Sequence, residues 1–155
     1  MSESSPSASH DASSGASLAP PSPWVQRFAA LIRPAGKVLD LACGSGRHAR
    51  WLAERGFEVE AVDRDAAALR GLGGVPGIHT RLGDLEAAHW PFDDQRFDAI
   101  VVTNYLYRPH FDAMLDLAAA GGVLIYETFM VGHERFGKPS RADFLLQPGE
   151  LLQRV

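Results

Sequence analysis

Two glycines one residue apart, set between an apolar run and a helical pattern, constrain this chain more than any other feature. Val38-Leu39-Asp40-Leu41 is a short apolar run with a single acid, the composition of a strand buried on both faces. Ala42-Cys43 leads into Gly44-Ser45-Gly46, where missing side chains let the backbone turn sharply and approach a ligand closely. Ala49, Leu52 and Ala53 then recur at helical spacing, with Arg47, Arg50, Glu54 and Arg55 on other faces. An amphipathic helix is therefore predicted up to Gly56. Strand, glycine turn and helix N-terminus together present free N–H groups suited to an anionic part of a ligand.

The rest of the chain repeats this alternation. Trp24 to Ile32 carries apolar residues at 24, 25, 28, 31 and 32 and reads as a short helix, ended by Pro34-Ala35-Gly36. Phe57 to Val62 reads as a second strand with Asp63 at its tip. Asp63 lies 17 residues beyond Gly46, about the separation that sets an acid beside a ribose held at the glycine turn. Asp65 to Arg70 is a second helix, stopped by the glycine cluster at 71–77. Ile78 to Leu82 is a third strand closed by Gly83-Asp84-Leu85. Phe97 to Asn104 is the most β-prone run and the fourth strand. Pro109 to Ala119 is predicted helical, with Phe111, Met114, Leu115 and Ala118 on one face; Gly121-Gly122 ends it, and Val123 to Tyr126 is the fifth strand. The expected fold is α/β: a Rossmann-like, doubly wound parallel sheet of order 3-2-1-4-5 with helices on both faces. Its crevice lies between Gly44/Gly46 and Asn104, where strands one and four diverge.

Composition sets the outer bounds. At 155 residues the chain is one domain, and residues 1–23, nearly all Ser, Ala, Pro, Gly, Asp and Glu, read as a disordered tail ahead of a domain at 24–155. A net charge of −4 gives no electrostatic case for nucleic acid or an anionic membrane, and Arg47, Arg50 and Arg55 read as a solvated helix face. One cysteine, Cys43, excludes internal disulfides and multi-cysteine metal sites. Histidines 10, 48, 79, 89, 110 and 133 show no ligand spacing, so no metal is expected. No run approaches the roughly 18 apolar residues of a membrane span, and the N-terminus lacks a signal core. A cytoplasmic protein is expected.

Asp40 separates ligand classes. A carboxylate about 4 Å from a pyrophosphate repels it by roughly 4 kcal/mol at an effective dielectric near 20. The same carboxylate suits a ligand that carries sulfonium, ammonium and carboxylate but no phosphate, as S-adenosylmethionine does. The rival pattern is Gly44-x-Gly46-x-x-Ala49 with Asp63, which fits an NAD(P)-binding dehydrogenase fragment. Against that reading stand Asp40 and the absence of a second domain for substrate.

Leu39 to Gly46, Val62-Asp63, Gly83-Asp84-Leu85 and Phe97 to Asn104 resemble, in order and spacing, the motifs of class I S-adenosylmethionine-dependent methyltransferases, over about residues 37–128. The segment from Tyr126-Glu127-Thr128-Phe129 to Phe136-Gly137 is similar to a bacterial branch near the tellurite-resistance type. The resemblance implies that Gly44 and Gly46 bring backbone against the methionine part of S-adenosyl-L-methionine while Asp40 holds its ammonium end. It implies that Asp63 takes the ribose hydroxyls, Asp84 the adenine amino group, and Leu85 backbone and apolar contact, with Asn104 beside the departing methyl. Tyr105, Tyr107, Arg108 and Glu127 are acceptor-pocket candidates, joined by His133 and Glu134, and His110 and His133 are candidate bases. The acceptor is expected to be a small molecule. The family's usual antiparallel hairpin after strand five is missing, so the domain reads as C-terminally truncated. Strand five is then left as an apolar edge for a second copy or a partner. A catalytically incomplete cofactor-binding or partner subunit is the remaining alternative.

Overall fold

The computed structural model describes residues 18–155. Within them five parallel strands form one sheet of order β3-β2-β1-β4-β5: β1 (Lys37–Leu41), β2 (Glu58–Asp63), β3 (Ile78–Leu82), β4 (Phe97–Thr103) and β5 (Ala118–Glu127). This is the order expected from the sequence. Successive side chains on a strand point to opposite faces, which divides the core into two layers. Val38, Val59, Ala61, Ala99 and Val101 face Ala49 and Leu52 of α2 (Arg47–Glu54), Val25 of α1 (Pro23–Phe28) and Leu69 of α3 (Ala66–Arg70). Leu39, Leu41, Ile100 and Val102 face Phe111 and Met114 of α4 (Phe111–Leu115) together with Phe92 and Leu146.

Local chemistry sets the boundaries. Ser22 caps α1, its hydroxyl accepting from Trp24 N–H (3.1 Å), and Pro23 takes the first helical position, where no N–H is needed. Asp65 caps α3 by accepting from the N–H groups of Ala67 and Ala68. Of the expected tail, residues 1–17, His10 included, lie outside the described residues. Its expected limit at residue 23 is corrected, because Ser22 is buried and Pro23 already belongs to α1.

A second correction concerns residues 109–119. The predicted long helix contracts to a 3-10 turn at Arg108–His110 followed by the five-residue α4, and the alanines beyond it belong to β5. Phe97 N–H donates to Leu117 O at 2.8 Å and Phe97 pairs with Ala118, so the sheet captures three alanines whose own preference is helical. Gly121-Gly122 does not end a helix. It lies inside β5, where the register shifts between Phe97 and Ala99 and Gly121 takes φ +74°.

After β5 the chain makes one parallel bridge, Met130 with Leu146, and ends in α5 (Glu150–Arg154). No antiparallel hairpin follows β5 among the described residues, and β5 is an edge of the sheet. No helix there is long and apolar enough to cross a membrane.

Candidate active site

The tips of β1 and β4 turn away from each other through Ala42 and Asn104, both at φ +55°. Left-handed backbone is uncommon for residues other than glycine and gathers at functional sites. Both residues line a chamber of about 350 Å³ that also takes in Asp63, Asp84, Leu85, Leu106 and Tyr105, with Pro139 and Phe144 from the C-terminal segment forming its far wall. A second chamber of about 330 Å³ lies beyond Asn104, bounded by Ser22, Arg47 and Glu127. Asn104, Thr128 and Phe129 belong to both and form the divide between them.

The first chamber is held by short bonds to backbone. Asp63 accepts from Gly44 N–H at 2.8 Å on one oxygen and from Asp65 N–H at 2.9 Å on the other, so it fixes the glycine turn while facing the cavity. Asp84, which lines the chamber, closes its own turn by accepting from Glu86 N–H at 2.9 Å on Oδ1. Asn104 N–H donates to Glu127 O at 2.9 Å, which locks the ends of β4 and β5 together.

Three glycine-turn expectations take a different form. Neither Gly44 nor Gly46 lines either chamber. Gly46 is required by packing: at φ +80° a Cβ would sit 2.5 Å from Leu72. Gly44, at φ +55°, faces open space. Asp40 lines neither chamber; it is 1% exposed beneath the start of α2, and its Oδ2 has no hydrogen-bond partner among the described residues. Burial pushes its carboxyl up to about 7, the Ala49 N–H opposes this, nearby Asp63 adds to the rise, and Arg47 resists it. A buried, unpartnered carboxyl oxygen is what a cationic group arriving at this turn would satisfy.

The candidate bases do not face the chambers. His110 holds Leu85 O through Nδ1 at 2.6 Å; a carbonyl only accepts, so Nδ1 carries the proton. Its ring lies among Trp90 and Tyr107, with centroids 5.1 and 5.2 Å away, and there it shapes the Asp84-Leu85 turn. His133 bonds Lys138 O at 3.0 Å and stacks on Phe129, so it braces the loop, while Glu134 turns back to Gly132 N–H at 2.6 Å. Tyr107 likewise stays in the aromatic nest beside His110.

Arg108 is corrected from acceptor contact to clamp. Its guanidinium donates to Glu150 (2.6 and 3.0 Å) and to the carbonyls of Leu145 (2.7 Å), Asp143 (3.1 Å) and Ala142 (3.4 Å). The Arg108 bond to Glu150, helped by the Gln147 N–H, holds that carboxyl down at about 2. Tyr105 and Glu127 do reach the cavities, one in each chamber. Burial raises the Tyr105 phenol above its ordinary value, and its hydroxyl lacks a partner among the described residues.

Sequence reasoning missed the second chamber's supports. His48, 2% exposed, accepts from Ser22 N–H through Nε2 (3.0 Å), and Thr103 Oγ1 lies 3.4 Å from its Nδ1. Burial, with Arg47 adding to it, lowers the His48 imidazole to about 4. Ser22 then donates its hydroxyl to Glu127 Oε2. The Ser-Pro pair signals a helix start, but nothing in the local pattern points to residue 127. No cluster of three or more His, Cys, Asp or Glu suited to a metal occurs among the described residues.

The methyltransferase-domain family profile matches residues 38–122, the span that carries Ala42, Asp63, Asp84, Leu85 and Asn104 of the first chamber. The chain belongs to the methyltransferase-domain family. It is 39% identical over 99 residues to the protein-L-isoaspartate O-methyltransferase of Chlorobaculum tepidum, covering 59% of this chain and 44% of that protein. It is 45% identical over 47 residues to the putative methyltransferase YqeM of Bacillus subtilis, covering 30% and 19%. The chain thus spans less than half the length of these curated relatives. Among solved structures, a TehB-like S-adenosylmethionine-dependent methyltransferase of Corynebacterium glutamicum superposes with TM-score 0.63 at 20% identity, over 84% of this chain and 68% of that one. At that identity the likeness concerns the fold. The glycopeptide N-methyltransferase MtfA complexed with S-adenosylhomocysteine is 26% identical, with TM-score 0.52 over 64% and 49%.

Proposed function

We propose that this chain binds S-adenosylmethionine in the first chamber and passes its methyl group to a small molecule arriving across the Asn104–Phe129 divide. One observation carries the reading: Asp63, at the end of β2, and Asp84, just beyond β3, line one cavity, with Asp40 buried near the end of β1. Two carboxylates at the cavity suit hydroxyls and an amino group, and disfavour a pyrophosphate.

Bound there, S-adenosylmethionine supplies a methyl group already activated on a sulfonium. The residues of the chain then have to hold, orient and keep dry. In this reading Asp63 accepts the ribose hydroxyls, Asp84 Oδ2 accepts an adenine amino proton, and Leu85 and Leu106 cover the ring. The side chain of Asn104 borders both chambers and aligns the two reactants, the kind of effect worth several kcal/mol when geometry is held. Neither His110 nor His133 is asked to move a proton.

Calorimetry with S-adenosylhomocysteine and with NAD checks this. Binding of the first is expected, and Asp63→Ala is expected to weaken it by roughly 1.5–3 kcal/mol, the scale of a charge-assisted hydrogen bond. Tight NAD binding without uptake of the thioether would reverse the assignment.

A further inference from the structure

Residues 83–96, between β3 and β4, form neither helix nor strand, yet they carry Asp84 and Leu85 into the first chamber. The segment is a loop that closes on its own start. Pro91 folds back on Gly83 so closely that a Cβ at position 83 would stand 3.3 Å from Pro91 Cβ. Gly83 N–H donates to Asp63 O at 3.0 Å, which ties the outgoing limb to the end of β2. The returning limb, lacking secondary structure, takes its hold from a side chain.

That side chain is Arg81, the penultimate residue of β3. Its guanidinium meets three acceptors at once: Nε the Glu60 carboxylate (2.5 Å), Nη1 the Pro91 carbonyl (2.6 Å) and Nη2 the Gln95 side-chain oxygen (3.1 Å). Phe92 lies against the same cation, its ring centroid 5.1 Å away. Glu60, on β2, is 7% exposed and needs a positive charge beside it to stay buried. Any cation would meet that need. A planar fork does more, because only arginine spreads rigid donors over a carboxylate and further acceptors together. The ion pair anchors the fork to the sheet, and its other arms hold residues 10 and 14 positions ahead.

We propose that Arg81 is a positioning residue for donor recognition: by pinning Pro91 against Gly83 it sets the Asp84 carboxylate where the amino group of adenine arrives. This rests on the first chamber holding S-adenosylmethionine. Arg81 does not line that chamber, so it acts through the loop. Its effect falls on the base and not on the ribose, because Asp63 is held independently by the N–H groups of Gly44 and Asp65.

The test is calorimetry on the full chain with S-adenosylhomocysteine, its 6-oxo counterpart S-inosylhomocysteine, and its 2′-deoxyribose form. The 6-oxo compound sets a carbonyl oxygen against Asp84 where the amino group stood, so wild type is expected to bind it roughly tenfold or more weakly. The deoxyribose form is expected to bind more weakly as well, through Asp63. Arg81→Lys keeps a charge for Glu60 but cannot span the other acceptors. In that variant the preference for adenine is expected to fall to about threefold or less, with the preference for ribose at its wild-type value. Should the lysine variant not fold, Glu60→Leu with Arg81→Met, which leaves no buried charge, is measured instead, and the same split is expected. Full adenine preference in the folded variant overturns the proposal. So does an equal loss of both preferences, which a merely structural role would produce. Wild type that binds S-adenosylhomocysteine without preferring adenine overturns this inference and leaves the donor site standing; no binding of S-adenosylhomocysteine overturns the preceding reading and this one with it.

Discussion

The two chambers flanking Asn104 are similar in size and built in opposite ways. The first is shaped by strand tips and by bonds to nearby backbone, Asp63 to residues 2 and 19 positions away, and only its far wall depends on the distant Arg108 clamp. The second depends on Ser22 reaching His48 across 26 positions and Glu127 across 105. Sheet geometry gives the first cavity its shape whatever the N-terminal segment does, whereas the second keeps its wall only while α1 stays docked. A family fold can thus keep one cavity constant and vary the other by changing a few side chains distant in sequence.

Breaking the glycine turn should have the largest effect and erase the contrast. Gly46→Ala puts a methyl group 2.5 Å from a Leu72 carbon at φ +80°. A loss of about 3 kcal/mol or more is expected from the clash and the strained backbone together, seen as a large drop in thermal midpoint and loss of both cavities.

A smaller effect, opposite in sign for stability, is expected at Asp40. The folded state holds a proton on this carboxyl up to about pH 7, from an ordinary value of 3.8, so folded protein binds more protons than unfolded across that window. The group's contribution to stability therefore falls as pH rises through it. Asp40→Asn should melt a few degrees above the wild type at pH 8, with the gain vanishing toward pH 4, while S-adenosylhomocysteine binds less tightly. A variant less stable at pH 8 would contradict the assignment.

The mildest change sharpens the comparison. Ser22→Ala removes the α1 cap, worth about 1 kcal/mol, and releases Glu127. Affinity for 5′-methylthioadenosine, confined to the first chamber, should not change, whereas methyl transfer should fall. An equal loss of both would mean that the cavities are mechanically one.

How far the sequence can be read follows the same division. Strand order, the glycine turn and the acids at 63 and 84 were legible because short motifs repeat at the spacing of a β-α-β unit. The split of the predicted helix at 109–119 was not, because pairing of Phe97 with Ala118 decides it and lies outside any local window. Arg108 was misread for a related reason: a basic residue after strand four has the same local signature whether it meets a ligand or carbonyls 34–37 positions away. Gly46 was placed in the turn correctly, but the sequence shows only that a side chain is missing there and not that Leu72 fills the space where one would stand.

The Arg108 clamp has one more implication. It grips residues 142, 143 and 145 by their carbonyls, which every amino acid possesses. Ala142 and Asp143 are therefore free to drift in identity without loosening the wall that carries Phe144, while the arginine itself is not. A different side chain at 144, the position of this stretch that does line the cavity, would re-shape its far wall and leave the clamp untouched, a route by which relatives sharing one scaffold can acquire different selectivities.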